Sequence, residues 1–167
     1  ICAKNDGSRY AAQLFSNEIF ERTSVKPSVV ESAENAFVTL VTDDSIEDKD
    51  TFIITENNGT LTVTAKTIRG LIFGYSLFLR KSKFVENEIF LVEDICGTHK
   101  PQKKIRGHQV GYRTTPNTYD AWDYEQYFRY YLDMMAFGTN TCEHNTTKFG
   151  KKEMNPLMRY TQEEFVT

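Results

Sequence analysis

Asp123-Tyr124-Glu125-Gln126-Tyr127-Phe128-Arg129-Tyr130-Tyr131-Leu132-Asp133-Met134-Met135 carries every mark of a helix, and its two flanks decide the fold. Asp123 and Gln126, three apart, match a capping box. Tyr124, Tyr127, Phe128, Tyr131, Leu132 and Met135 recur at the i, i+3, i+4, i+7 spacing of one helical face. Gly138 supplies the left-handed residue on which helices commonly end. Upstream, Ile105-Arg106-Gly107-His108-Gln109-Val110-Gly111-Tyr112 reads as a strand that feeds a long polar loop; downstream, Thr139 to His144 reads as a second strand. Strand, helix and strand in that order form a βαβ unit, which requires a parallel pair with a right-handed crossover. One such unit cannot cover both faces of a parallel pair, so further strands and helices are expected beyond it. Thr161-Gln162-Glu163-Glu164 matches another capping box, followed by Phe165 and Val166, and the sequence stops one turn into that helix. The reading is of a chain cut inside a larger parallel α/β domain.

The residues before this unit follow a different plan. Ser8 is the expected cap of a helix from Arg9 to Arg22, with Ala11, Leu14, Phe15 and Ile19 at helical spacing. Three strands are expected at 36–41, 51–55 and 60–65, all rich in Val, Ile, Phe and Thr. Asn57-Asn58-Gly59 suits a hairpin turn that needs positive φ, and Leu61-Thr62-Val63-Thr64 alternates as a half-buried strand does. Thr67 is the expected cap of a second helix, whose apolar positions Ile68, Leu71, Ile72, Tyr75, Phe78 and Leu79 make a stripe broad enough to lie across a sheet. Gly70 and Gly74, one turn apart on that helix, predict close approach to another backbone. A last strand is expected at 89–95, ending at Cys96-Gly97. The expected fold class is therefore α+β: an antiparallel-rich sheet with two helices packed on it over 1–97, a linker at 98–104, and the first βαβ portion of an incomplete TIM barrel over 105–167.

Composition narrows the partners. The chain has 167 residues, 40% hydrophobic and 26% charged, which is ample for a packed core. A net charge of −3 lacks the basic excess that phosphate neutralisation needs, so no nucleic acid is expected as partner. The short basic cluster Lys100 to Arg106 contains Pro101 and reads as a solvated linker. No apolar run reaches the ~20 residues of a membrane-spanning helix, so no membrane span is expected. Cys2, Cys96 and Cys142 are odd in number and widely spaced, which fits free buried thiols better than a disulfide framework or a zinc motif. No metal and no cofactor are expected.

Two stretches resemble a known arrangement. Arg69-Gly70-Leu71-Ile72-Phe73-Gly74-Tyr75 is similar to the glycine-containing helix of the small α/β domain, the β-hexosaminidase domain 2-like fold, that precedes the barrel in family 20 β-hexosaminidases and family 67 α-glucuronidases. Arg106-Gly107-His108-Gln109-Val110-Gly111-Tyr112-Arg113 resembles their first barrel strand, where an Arg-Gly pair opens the catalytic domain. The resemblance implies the N-terminal part of a glycoside hydrolase acting on poly- or oligosaccharides. It also implies a periplasmic or secreted location. In the hexosaminidases that arginine reaches sugar hydroxyls, a role the resemblance carries to Arg106. The partners it implies are a carbohydrate substrate and the remaining barrel of the same polypeptide.

In a (β/α)8 barrel, substrate-contacting residues lie at the C-terminal ends of strands and in the loops that follow. That rule selects His108, Gln109, Tyr112 and Arg113 after the first strand, Tyr119, Asp120 and Trp122 on the loop, and Glu143, His144 and Asn145 at the second strand. Arg, His, Gln, Glu and Asn can pair with hydroxyls as donors or acceptors, and Tyr and Trp faces can cover the apolar side of a sugar ring. Trp122 fits ring stacking on a sugar and simple anchoring of its loop about equally. Glu143, His144 and Cys142 cannot converge on one metal, because neighbouring strand residues point to opposite faces. Glycoside hydrolysis uses two carboxyl groups about 5–10 Å apart. In the resembling families they come from later strands, so the chain as given is expected to be inactive alone. The alternative reading is a complete, non-catalytic carbohydrate-binding or protein-interaction module.

Overall fold

The computed structural model describes residues 1–85, 88–110 and 122–144, and for Val110, Glu143 and His144 the backbone alone. The chain divides into two compact units, Ile1–Lys104 and Ile105–Thr167.

The first unit runs β1 (Cys2–Ala3), α1 (Asp6–Thr23), β2 (Val38–Thr42), β3 (Phe52–Asn57), β4 (Thr60–Ala65), α2 (Ile68–Arg80), β5 (Ser82–Val85), β6 (Glu88–Leu91) and β7 (Gly97–His99). Five of these strands make one sheet in the order β1-β2-β4-β3-β7. The sheet is evenly mixed rather than antiparallel-rich: β1 and β4 both run parallel to β2, while β3 runs antiparallel to β4 and β7. The reason is α1, which carries the chain back to the starting end of the sheet, so β2 must run alongside β1 in the same direction. The sequence pattern could not show this, because a two-residue β1 has no period to read.

The hairpin at 57–60 follows its sequence. Asn58 and Gly59 have φ of 50° and 80°, and Asn57 pairs directly with Thr60 across the two-residue loop. Two successive positive φ values give the turn twist that matches a hairpin, and Asn and Gly are the residues that tolerate it.

α1 begins earlier than the sequence predicts. Asn5 is its cap, and Ser8 is the third helical residue: the Asn5 side chain accepts from the Ser8 N–H at 3.2 Å, and the Ser8 hydroxyl accepts from the Asn5 N–H at 3.2 Å. Ser8 thus takes part in the cap from inside the helix. α2 keeps its expected Thr67 cap, whose hydroxyl accepts from the Gly70 N–H at 3.2 Å.

The expected strand at 89–95 is divided. Residues 88–91 pair with β5 in a separate hairpin, and the main sheet receives Gly97–His99 instead, which reaches two residues into the expected linker at 98–104. The Asp94 carboxylate accepts from the Cys96 N–H at 2.9 Å, a local turn that breaks the extended run, and Gly97 adopts φ 131°, which other residues rarely do.

α1 and α2 lie against each other and against the sheet. Phe15 of α1 stacks on Tyr75 of α2 at 4.9 Å and meets Phe78 edge-on at 5.7 Å. Leu40, Ile54, Val63 and Leu71 are fully buried beside them, each contributing on the order of 2 kcal/mol. The glycines of α2 permit this approach: a Cβ added at Gly70 would lie 2.8 Å from the Cβ of Ala65. Next to it, the Arg69 Nε donates to the buried carboxylate of Asp50 at 2.7 Å, fastening the β2–β3 connection to the start of α2.

The second unit contains β8 (Gly107–Val110), α3 (Tyr124–Ala136) and β9 (Thr141–His144). β8 and β9 are parallel, with Gly107, His108, Gln109 and Val110 opposite Thr141, Cys142, Glu143 and His144 in that order. α3 carries the expected capping box: the Asp123 carboxylate accepts from the Gln126 N–H at 2.9 Å, and the Gln126 side chain accepts from the Asp123 N–H at 3.0 Å. It closes at Gly138, φ 89°, whose N–H donates to Met135 O at 2.8 Å. The βαβ unit read from the sequence is present.

Candidate functional site

The sequence-derived candidates fall on the β8-α3-β9 unit, and the structure sorts the described ones into three surroundings. The first is an aromatic cluster against α3. The His108 ring lies 5.8 Å from Tyr130, edge to face, and Trp122 lies 5.2 Å from Tyr130 and 5.4 Å from Tyr127. Tyr127 is buried and stacks at 6.0 Å on Tyr131. Aromatic pairs at such separations contribute about 0.5–1.5 kcal/mol beyond simple burial. Trp122 is thus engaged by α3, as its loop-anchoring reading requires. Tyr130 joins β8, the incoming loop and α3, yet it lies outside the apolar stripe read from the sequence. Its only sequence signal is a place among four tyrosines on one short helix.

Cys142, the register partner of His108, meets the same helix. The Tyr131 hydroxyl bonds to its sulfur, and partial burial raises both the phenol and the thiol above their ordinary pKa values. A thiol held in its protonated form is a poor nucleophile. Of the three free cysteines, Cys2 is buried as expected, whereas Cys96 and Cys142 are exposed residues.

The second setting is that of Arg106. Its guanidinium donates to Gly138 O at 2.7 Å, its N–H donates to the Asn140 side chain at 2.9 Å, and its own carbonyl accepts from the Asn140 N–H at 2.9 Å. A cation at the last carbonyls of a helix suits the negative end of the helix dipole. Arg106 precedes β8, so it stands at the N-terminal end of the strand, with all four β8 residues between it and the C-terminal edge.

The third setting is that of Gln109, beside the strand position that packs on α3. Gln109 follows His108 by one residue and is exposed. Glu143 is its register partner in β9, and His144 is that of Val110. Tyr112, Arg113, Tyr119, Asp120 and Asn145 lie outside the described residues. Among the described residues, no group of three or more His, Cys, Asp or Glu side chains is placed to hold a metal ion. No helix among them is long and apolar enough to cross a membrane.

The first unit has a groove of its own, about 570 Å³, lined by Ile19, Val25, Phe37, Leu61, Phe78 and Leu91 among others. Its lining is mainly apolar, and among the described residues Glu56 is the one ionisable side chain along it. Such a wall offers few partners for sugar hydroxyls.

No protein-family model matches the chain. No curated protein sequence matches it either. Solved structures do. The N-acetyl-β-hexosaminidase of Streptomyces plicatus, in complex with Thio-NAglucal, superposes with a TM-score of 0.64 at 11% identity, over 86% of this chain and 29% of that one. The GH20 exo-β-N-acetylglucosaminidase of Vibrio harveyi, in complex with N-acetylglucosamine, gives 0.57 at 12% identity, over 86% and 21%. A GH138 enzyme targeting pectin rhamnogalacturonan II gives 0.53 at 16% identity, over 86% and 18%. The chain therefore spans less than a third of the length of these structures, and what it shares with them is the fold.

Proposed function

We propose that this chain is the front part of a glycoside hydrolase of hexosaminidase- or α-glucuronidase-like plan, acting on oligo- or polysaccharides outside the cytoplasm. One observation carries the reading. The superposition on family 20 enzymes takes in 86% of the chain, more than Ile1–Lys104 could supply, so the likeness extends into the βαβ unit as well as the small α/β unit. In this reading the first unit is an accessory domain, β8-α3-β9 opens a (β/α)8 barrel, and the catalytic carboxyl pair belongs to later strands of the same polypeptide. The carbohydrate is bound partly by the C-terminal ends of β8 and β9.

The test uses two proteins: residues 1–167, and the polypeptide extended beyond Thr167 as its gene encodes it. Each is offered a panel of aryl glycosides that includes 4-nitrophenyl N-acetyl-β-glucosaminide and the α-glucuronide. The extended protein should cleave at least one, and residues 1–167 none. Turnover by residues 1–167, or none by the extended protein, overturns the reading.

A second reading, a non-catalytic binding module, draws on one feature: Tyr124 and Phe128 stack at 6.2 Å on α3, and both remain exposed. Binding of oligosaccharide without turnover by the extended protein would favour it.

A further inference from the structure

We propose that the pleat of β8 separates two neighbours that the sequence groups together: Gln109 is a sugar-contacting residue, and His108 is a positioning residue that never meets the sugar. This rests on the barrel reading above.

The separation follows from contacts on both strands. His108 touches Tyr130, and Cys142, directly opposite His108 in the register, is bonded by Tyr131. Tyr130 and Tyr131 both belong to α3, so the His108 and Cys142 positions share the face that packs on the helix. Strand residues alternate between faces with a period of two. Gln109 therefore belongs to the face away from α3, and its exposure agrees with that.

In a (β/α)8 barrel the helices lie outside, so the face away from them is the interior, and the interior opens to substrate at the C-terminal ends of the strands. Gln109 is the penultimate residue of β8, next to that end. A carboxamide offers one acceptor and two donor hydrogens from one planar group, which suits a pair of adjacent sugar hydroxyls. His108 is fixed on the other side. Its ring, wedged on Tyr130, which also holds Trp122, sets the strand's rotation about its own axis and hence where Gln109 is aimed.

The experiment measures kcat, KM and thermal midpoint for variants of the extended protein, with whichever aryl glycoside it cleaves. Gln109→Ala should raise KM about tenfold, the scale of one or two lost hydrogen bonds, while leaving the midpoint unchanged. Gln109→Glu, of equal size, is the second variant and should raise KM as well. His108→Ala should raise KM, and His108→Phe, which keeps a ring against Tyr130, should restore it to the wild-type value. Wild-type KM in both Gln109 variants overturns the proposal, and so does a raised KM in His108→Phe. Absence of turnover in the wild-type protein is a different result: it removes the glycoside hydrolase reading itself, and this proposal with it.

Discussion

Gly74 of α2 stands so close to Val63 of β4 that a Cβ built on it would lie 2.3 Å from Val63 Cγ1, with the Phe52 ring 3.2 Å away. The backbone of the helix rests here directly on side chains of the sheet. Replacing glycine in a helix normally gains about 1 kcal/mol of propensity. Here the added methyl must displace packed core atoms, at a cost of about 1–3 kcal/mol. Gly74→Ala should therefore destabilise the first unit in denaturant unfolding, against the propensity trend. Combined with Val63→Ala, the two changes should be less harmful than their sum by about 1 kcal/mol. Strict additivity would show that the two residues do not compete for the same space.

Asp50 and Arg69 make a related prediction about the β2–β3 connection. The Asp50 carboxylate is buried, and the Arg69 guanidinium, partly exposed, bonds to it. Arg69→Ala leaves a buried charge without its ion-pair partner, and should cost about 1–3 kcal/mol. Arg69→Lys should recover little of it, because a point-like ammonium cannot reproduce the guanidinium fork. Chemical unfolding of the three proteins checks the order; equal midpoints for wild type and Arg69→Ala would rule out a structural role for the pair.

Tyr131 gives the second unit an alkaline limit. Partial burial, then the bond to Cys142, raise its pKa above the ordinary 10.0, so the folded chain holds the proton more tightly than the unfolded chain does. Stability from this source is complete below the unfolded-state pKa and is lost as pH rises from there through the folded-state pKa. Unfolding followed from pH 8 upward should show stability falling beyond about pH 10. Tyr131→Phe, which cannot ionise, should flatten that fall. An unchanged alkaline slope in the variant would mean that other groups produce it.

Legibility of the fold tracked the length of each periodic pattern. The α3 cap at Asp123 and Gln126, the Asn57-Asn58-Gly59 turn and the Thr67 cap are local signals written in three or four residues, and each appears where its chemistry requires. β1 and β7 escaped, at two and three residues, since neither is long enough to show alternation. Their places in the sheet come from partners distant in sequence: β1 pairs with β2 across α1, and β7 pairs with β3 across the intervening helix and hairpin.

The candidate site divides the same way. Residue types and motif order alone named the β8 and β9 segments as candidates for pairing with sugar hydroxyls. They also brought out the strand-helix-strand plan and the two glycines that let α2 approach the sheet. Which way each of those side chains faces was a tertiary decision. His108 and Gln109 are adjacent in the chain and equally able to bind a sugar, yet Tyr130 takes one of them, and the pleat sends the other to the opposite face. Arg106 likewise has a partner, Gly138, that only the return of α3 to the start of β8 brings within 2.7 Å. Periodicity and capping act between near neighbours and can be read in order; the facing of a strand is set by what packs on it, and that is known only once the helix has come back.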